Sequence, residues 1–295
     1  MDRMNYSGKI NKNVDVKTTL ESGQTFLWNK CKGNMFEDDD TNSYYYTVRK
    51  INGKNVFVKV KSDNTQLIWE SNSEKGFSII NSTFRLETNL DKIKNKLPHD
   101  KILNKSIKKY PDLKIVNEPL FPTLISFICS IQMRVERIHN MVKNISKKYG
   151  SSVHINGKKY YGFPTPDELS EATNSELKDL KTGYRAEYIL KTTNMITSNT
   201  HPLELPDNVS EAREYLKEYV GVGPKVADCV LLYGGGFNSV VPVDTWIDKA
   251  AKKYYPDCVY SSKEKTARAL ENKFGEYSGF AQAYLFHYMR NNTDL

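Results

Sequence analysis

Two residues of complementary chemistry open consecutive apolar segments in the last third of the chain. Lys225 follows the turn Gly221-Val222-Gly223-Pro224, and Asp244 closes the run Val240-Val241-Pro242-Val243, 19 residues after the lysine. An amine attacks an electrophile only when unprotonated, and a carboxylate steadies developing positive charge. A Lys opening one helix and an Asp opening the next can converge on one cleft. The plainer readings are a solvated lysine, one of 43 basic residues, and an N-capping aspartate. The glycine turn offers a second kind of chemistry. Gly221 and Gly223 admit positive φ and close backbone approach. Pro224 suits the first position of a helix, and the free N–H groups beyond it form a site for one phosphate. Helices over 210–219 and 225–233 around this turn make a helix–hairpin–helix, an arrangement suited to holding a nucleic-acid backbone. A ligand-free corner between two helices is the alternative.

Two further pairs share helix faces, because four residues rotate a helix by roughly 400°. Lys225 and Cys229 are one pair, and Gln282 and Phe286 are the other. For a Phe in an apolar helix, core packing is the default. The four cysteines are Cys31, Cys129, Cys229 and Cys258, none within ten residues of another. That spacing gives no zinc pattern and no iron–sulfur loop, so no metal site is expected.

The elements that must position these residues fall into two regions. The first ~110 residues read β-rich. Tyr44 to Val48 and Val56 to Val60 flank Asn52-Gly53, a strong hairpin signal. Leu67-Ile68-Trp69 and Phe77-Ser78-Ile79-Ile80 read as further strands, and Arg85 to Leu97 as an amphipathic helix. From Glu118 onward the pattern is helical: 120–129, 135–149, 167–180, 186–196, 210–219, 225–233, 246–254, 262–274 and 279–289. The expected fold is α+β, with an N-terminal antiparallel β-sheet domain over 1–115 and an all-helical domain over 116–295.

Composition sets the outer limits. The chain has 295 residues, 39% hydrophobic and 26% charged, with a net charge of +8. That is a folded composition, too apolar for a disordered chain. No stretch approaches the roughly 20 apolar residues of a spanning helix, so no membrane partner is expected. Met1 to Asn5 lead into no apolar run, so no export signal is expected and the cysteines should be reduced. The basic balance favours a polyanionic partner.

The segment Gly221-Val222-Gly223-Pro224-Lys225-Val226-Ala227-Asp228-Cys229, with the Asp of Val241-Pro242-Val243-Asp244, resembles the signature of the helix–hairpin–helix DNA glycosylases. Within them the chain is similar to the 8-oxoguanine DNA glycosylase/AP lyase family. Further islands carry the resemblance from about Leu20 to Arg290. They are Ser22-Gly23-Gln24-Thr25-Phe26-Leu27-Trp28, Phe127-Ile128-Cys129-Ser130, Gly162-Phe163-Pro164, Gly183-Tyr184-Arg185-Ala186 and Gly279-Phe280-Ala281-Gln282-Ala283 with Leu285-Phe286. Their order along the chain is the specific part.

The resemblance implies a role for each residue. Lys225 would attack C1′ of the damaged nucleotide, expel the base, and as a Schiff base permit β-elimination of the 3′ phosphate. Asp244 would stabilise charge at the sugar. Phe286 and Cys229 would sandwich the flipped base, and Gln282 would hydrogen-bond its Watson–Crick edge. Gly23 would read the lesion, its carbonyl accepting the N7–H that 8-oxoguanine has and guanine lacks. Arg137 and Arg185 would read the unpaired cytosine, with Tyr184 wedged beside it. Two positions depart from the eukaryotic pattern. Gln132, followed by Met133, stands where an Asn-rich run occurs, which leaves opposite-base selectivity open. Trp246 replaces a phosphate-contacting His and offers only a neutral N–H. The implied partner is double-stranded DNA containing 8-oxoguanine, met by a monomer that needs no cofactor. The expected location is the cytoplasm in a prokaryote and the nucleus in a eukaryote. A glycosylase of this class for another damaged base, and a non-catalytic DNA-binding module, are the alternatives.

Overall fold

The computed structural model describes residues 3–37 and 42–292. The N-terminal sheet is built from β1 (Tyr6–Asn11), β2 (Asn29–Lys30), β3 (Tyr45–Ile51), β4 (Lys54–Asp63) and β5 (Gln66–Ser71). All pairs are antiparallel, in the order β1-β5-β4-β3-β2. The β3–β4 turn is the expected one: Asn52 and Gly53 both take positive φ, and Ile51 faces Lys54. One face of β4 presents Val56, Val58 and Val60 to a core closed by α1 (Val16–Leu20) and α2 (Gly76–Phe84). Its opposite face is also covered. Phe57 packs with Val153 and Ile155 of a second hairpin, β6 (Ser152–Ile155) and β7 (Lys158–Tyr161).

The helices continue with α3 (Leu90–Lys96), α4 (Lys101–Lys109), α5 (Leu120–Cys129), α6 (Val135–Tyr149), α7 (Pro166–Ser170) and α8 (Asn174–Leu177). They end with α9 (Arg185–Thr197), α10 (Val209–Lys217), α11 (Pro224–Tyr233), α12 (Thr245–Tyr254), α13 (Lys263–Phe274) and α14 (Ser278–Arg290). One large apolar core unites this helical body, and it also takes in Phe26 and the stretch from Leu90 to Val116. The fold is α+β, as expected.

Several elements differ from the sequence expectation. Phe77 to Ile80 is not a strand but part of α2, where Ile79, Ile80, Thr83 and Phe84 share the buried face and Phe77 is exposed. Four residues are too few to separate period 2 from period 3.6. The helix expected from Arg85 begins only at Leu90, capped by the Asn89 side chain. Arg85 itself is left-handed, with φ 46°, and its guanidinium bonds the Leu232 carbonyl and Asn238. The helix expected over 167–180 breaks into α7 and α8, each opened by a threonine capping box. The β6–β7 hairpin was not anticipated, although Asn156-Gly157 carries the same turn signal as Asn52-Gly53.

The peptide between α1 and β2 crosses from the sheet into the helical body, and it carries Gly23. Gln24 inserts its amide between the backbones of Lys114 and Val116, donating to the first at 2.9 Å and accepting from the second at 3.0 Å. Thr25 and Trp28 both donate to Glu118 Oε1, at 3.0 and 2.9 Å, and Arg49 pairs with the other carboxylate oxygen. Phe26 then meets Phe127 edge to face at 5.9 Å. These contacts place an N-terminal turn against the wall of the helical core.

Candidate active site

The hairpin forms as the glycine spacing implies. Gly221 has φ +85°, and a Cβ there would lie 2.6 Å from the Tyr188 ring, so only glycine fits. Gly223 is extended and caps α11, with Pro224 at the first helical position. The first intrahelical bond runs from Ala227 N to the Gly223 carbonyl. The amides of Lys225 and Val226 precede it, at the positive end of the helix.

Lys225, one residue into α11, points toward α5. Its Nζ donates to Ser130 Oγ at 2.9 Å and lies 5.3 Å from the Phe127 ring centre. Ser130 in turn donates to the Phe127 carbonyl at 2.7 Å, which fixes the hydroxyl with a lone pair toward the lysine. Asp244 caps α12, its Oδ1 accepting from Trp246 N at 3.0 Å and Ile247 N at 2.9 Å. Burial raises its carboxyl above the ordinary range, and the two amides and the Lys225 charge oppose that rise. The cap bonds hold the carboxylate in place and leave its second oxygen for other work.

Lys225 and Asp244 line one cavity of about 440 Å³. That lies within the roughly 300–1,000 Å³ typical of small-molecule sites. Gly23, Cys229, Gln282 and Phe286 line it too, as do Gln132, Gly221 and Gly223. The Cys229 thiol is pushed up to about 12, chiefly by burial, so it is a neutral and polarisable wall. Gln282 is buried, and its amide is oriented: Oε1 accepts from the Tyr233 hydroxyl at 3.1 Å, while Nε2 faces the Pro242 carbonyl at 3.5 Å. One lone pair and one N–H remain on that amide.

Four expected residues lie outside the cavity. Arg137 is exposed on α6, and Tyr184, 47% exposed, stands edge-on to Tyr188 before α9. Trp246 sits in the first turn of α12 with Lys249 over its ring at 4.8 Å. Arg185 differs most from expectation. Its side chain is buried, and its N–H groups go to the carbonyls of Ile131 and Thr182. It supports the turn that carries Gln132, which is left-handed at φ 50° and exposed, instead of presenting a free fork. Among the described residues no cluster of three or more His, Cys, Asp or Glu could hold a metal ion.

Two functional neighbours escaped the sequence reading. Ser130, which receives the Lys225 amine, lies in a quoted island but had no partner assigned. Tyr233, which orients Gln282, is eight residues beyond Lys225, so the same i, i+4 arithmetic taken one turn further reaches it. Its ring stacks on Phe127 at 5.6 Å, which closes the cavity floor.

Residues 125–276 match the model of the HhH-GPD superfamily base excision DNA repair proteins, and residues 8–124 match the N-terminal domain of 8-oxoguanine DNA glycosylase. An N-glycosylase/DNA lyase of Saccharomyces cerevisiae is 30% identical over 94% of this chain and 84% of its own length. The apo 8-oxoguanine glycosylase/lyase of Clostridium acetobutylicum superposes with a TM-score of 0.83 at 32% identity, covering 98% of this chain and all of that one. Its complex with double-stranded DNA, cytosine opposite 8-oxoguanine, gives 0.84 at 32% identity over 99% of this chain and 100% of that one. The chain therefore belongs to the HhH-GPD superfamily of base excision DNA repair enzymes, in the N-glycosylase/DNA lyase branch that carries the 8-oxoguanine glycosylase N-terminal domain.

Proposed function

We propose that this protein removes 8-oxoguanine from duplex DNA, preferably opposite cytosine, and then cleaves the abasic strand. The observation that carries the reading is the shared cavity: an amine and a carboxylate at two helix starts, facing neutral walls suited to one flat base. A base inside a duplex is out of reach, so the nucleotide is extruded into the cavity. Phe286 and Cys229 hold its faces, and the free lone pair and N–H of Gln282 meet its Watson–Crick edge. Gly23 contributes the acceptor for N7–H. Guanine has a lone pair there, and two facing acceptors in a dry site are strongly disfavoured.

The Lys225 amine forms a bond to C1′ as the glycosidic C–N bond breaks, and the base leaves with the electron pair and takes up a proton. Asp244 steadies the cationic sugar as it develops. The amine then gives up a proton, O4′ takes one up as the C1′–O4′ bond opens, and a protonated Schiff base results. Loss of a C2′ proton and departure of the 3′ phosphate cleave the strand. Hydrolysis of the imine returns the free lysine. The amides at the start of α11, exposed by Gly221 and Gly223, suit one backbone phosphate, and the Trp246 indole N–H suits another. Gln132 and Tyr184 fill the gap left in the stack, and Arg137 serves the opposite cytosine. Arg185 acts indirectly, through the Ile131–Gln132 turn.

The test is excision from duplexes that pair 8-oxoguanine with each of the four bases. Fastest release opposite cytosine is expected. No release from any pairing, while another damaged base is removed, contradicts the lesion assignment.

A further inference from the structure

Helix α14 presents Gln282, Phe286 and Arg290 at successive turns of one face. The first two line the cavity; the third does not. The Arg290 guanidinium lies 5.7 Å from the centre of the Phe286 ring and reaches the turn that carries Gly23. Its Nη2 donates to the Glu21 carbonyl at 2.6 Å. Its Nη1 is buried, has no hydrogen-bond partner, and lies 3.5 Å from where a Gly23 Cβ would stand. The same built Cβ would be 3.6 Å from Phe286 Cε1. Phe286, Arg290 and the Gly23 turn are thus one packed unit.

The turn needs such a brace. Gly23 sits at φ +90°, and a glycine exchanges backbone states at little cost. On its C-terminal side the turn is pinned by Gln24, through Lys114 and Val116. On its N-terminal side the bond across to α14 comes from Arg290, 269 residues from Glu21 in sequence.

We propose that Arg290 is a positioning residue for lesion recognition, holding the Gly23 turn in register with the Phe286 face so that the base is read correctly. This rests on the reading of Gly23 as the lesion reader. It has a consequence that a general structural role lacks. Incision at a ready-made abasic site uses Lys225 and the sugar but no base, so it should not depend on Arg290.

The experiment compares single-turnover excision of 8-oxoguanine opposite cytosine with incision of the same duplex carrying an abasic site. Arg290→Met keeps the apolar bulk and should slow excision at least tenfold while changing abasic incision less than twofold. Arg290→Lys, which can still reach the Glu21 carbonyl with one N–H, should recover part of the loss. Equal loss of both steps, or loss of neither, overturns the inference while the lesion reading stands. Wild-type protein that incises abasic DNA but leaves 8-oxoguanine in place overturns the lesion reading, and the inference with it.

Discussion

Helices α11 and α14 meet the cavity in the same way and do different things there. Each carries three residues, one turn apart, along one face: Lys225, Cys229 and Tyr233 on α11, and Gln282, Phe286 and Arg290 on α14, of which all but Arg290 line the cavity. The α11 set begins at a helix start, where free amides and a half-buried amine face solvent. The α14 set is uncharged where it lines the cavity, at Gln282 and Phe286. Gln282 is 3% exposed, and its polar groups are tied by Tyr233 and Pro242. The groups packed behind them differ as well. On α11, Asp228 is buried in a charged network with Arg213 and Arg268, and Arg213 extends it to Glu271, which also accepts from Val241 N. On α14, His287 is buried beside Tyr110 and held neutral. The contrast separates two tasks. On the proposed reading, the charged Lys225 and Asp244 serve bond breaking, and the neutral Gln282 and Phe286 tell the base from its neighbours.

Four measurements can break or sharpen that comparison. The largest effect should come from the chemical side. Asp244→Asn keeps a good N-cap and removes only the charge. Excision should fall on the order of 100- to 1,000-fold in single-turnover assays, with the melting temperature nearly unchanged. An unaffected rate reduces Asp244 to its cap. On the recognition side, Phe286→Ala removes a stacking surface worth roughly 1–3 kcal/mol per base. Excision should drop about 10- to 100-fold and abasic incision should persist; equal loss of both blurs the division between the helices. Tyr233→Phe links the two faces, because it deletes the hydroxyl that orients Gln282. A loss of about 1 kcal/mol, or roughly fivefold in excision, is expected. A larger loss than that of Phe286→Ala would put orientation above stacking.

The smallest effect concerns stability against pH. Burial lowers His287 to about 3, with the Arg290 and Lys109 charges adding to the shift. The folded state therefore keeps it neutral while the unfolded chain protonates near 6.5. Its contribution to stability is complete above pH 6.5 and is lost as pH falls toward 3, by at most about 1.4 kcal/mol per pH unit. Replacing it, as in His287→Asn, should flatten the fall of stability between pH 6.5 and 4 in denaturant titrations. An unchanged slope would mean that His287 is not the group that titrates.

The two faces also show how much of the site was legible in sequence. The hairpin was plain because everything it needs is local: two glycines, a proline and a lysine in five residues. The i, i+4 pairs were plain for the same reason. Their third members were not, because Tyr233 acts on a residue 49 positions away and Arg290 on one 269 away. No local pattern carries such a partnership. Arg185 marks another limit. Its spacing gave the position and not the direction, and the Ile131 and Thr182 carbonyls turned it inward. In the sheet, Asn52-Gly53 fixed a register correctly, whereas Phe77 to Ile80 was too short a window to distinguish helix from strand.

The central claim is that one amine, Lys225, both expels the base and holds the opened sugar. Borohydride reduction tests it directly, because it converts a Schiff base into a stable amine link between protein and DNA. With duplex carrying 8-oxoguanine opposite cytosine, the wild-type protein should form a covalent adduct, and Lys225→Gln should form none. Base release without any adduct from the wild-type protein, or an adduct undiminished in Lys225→Gln, would contradict the account.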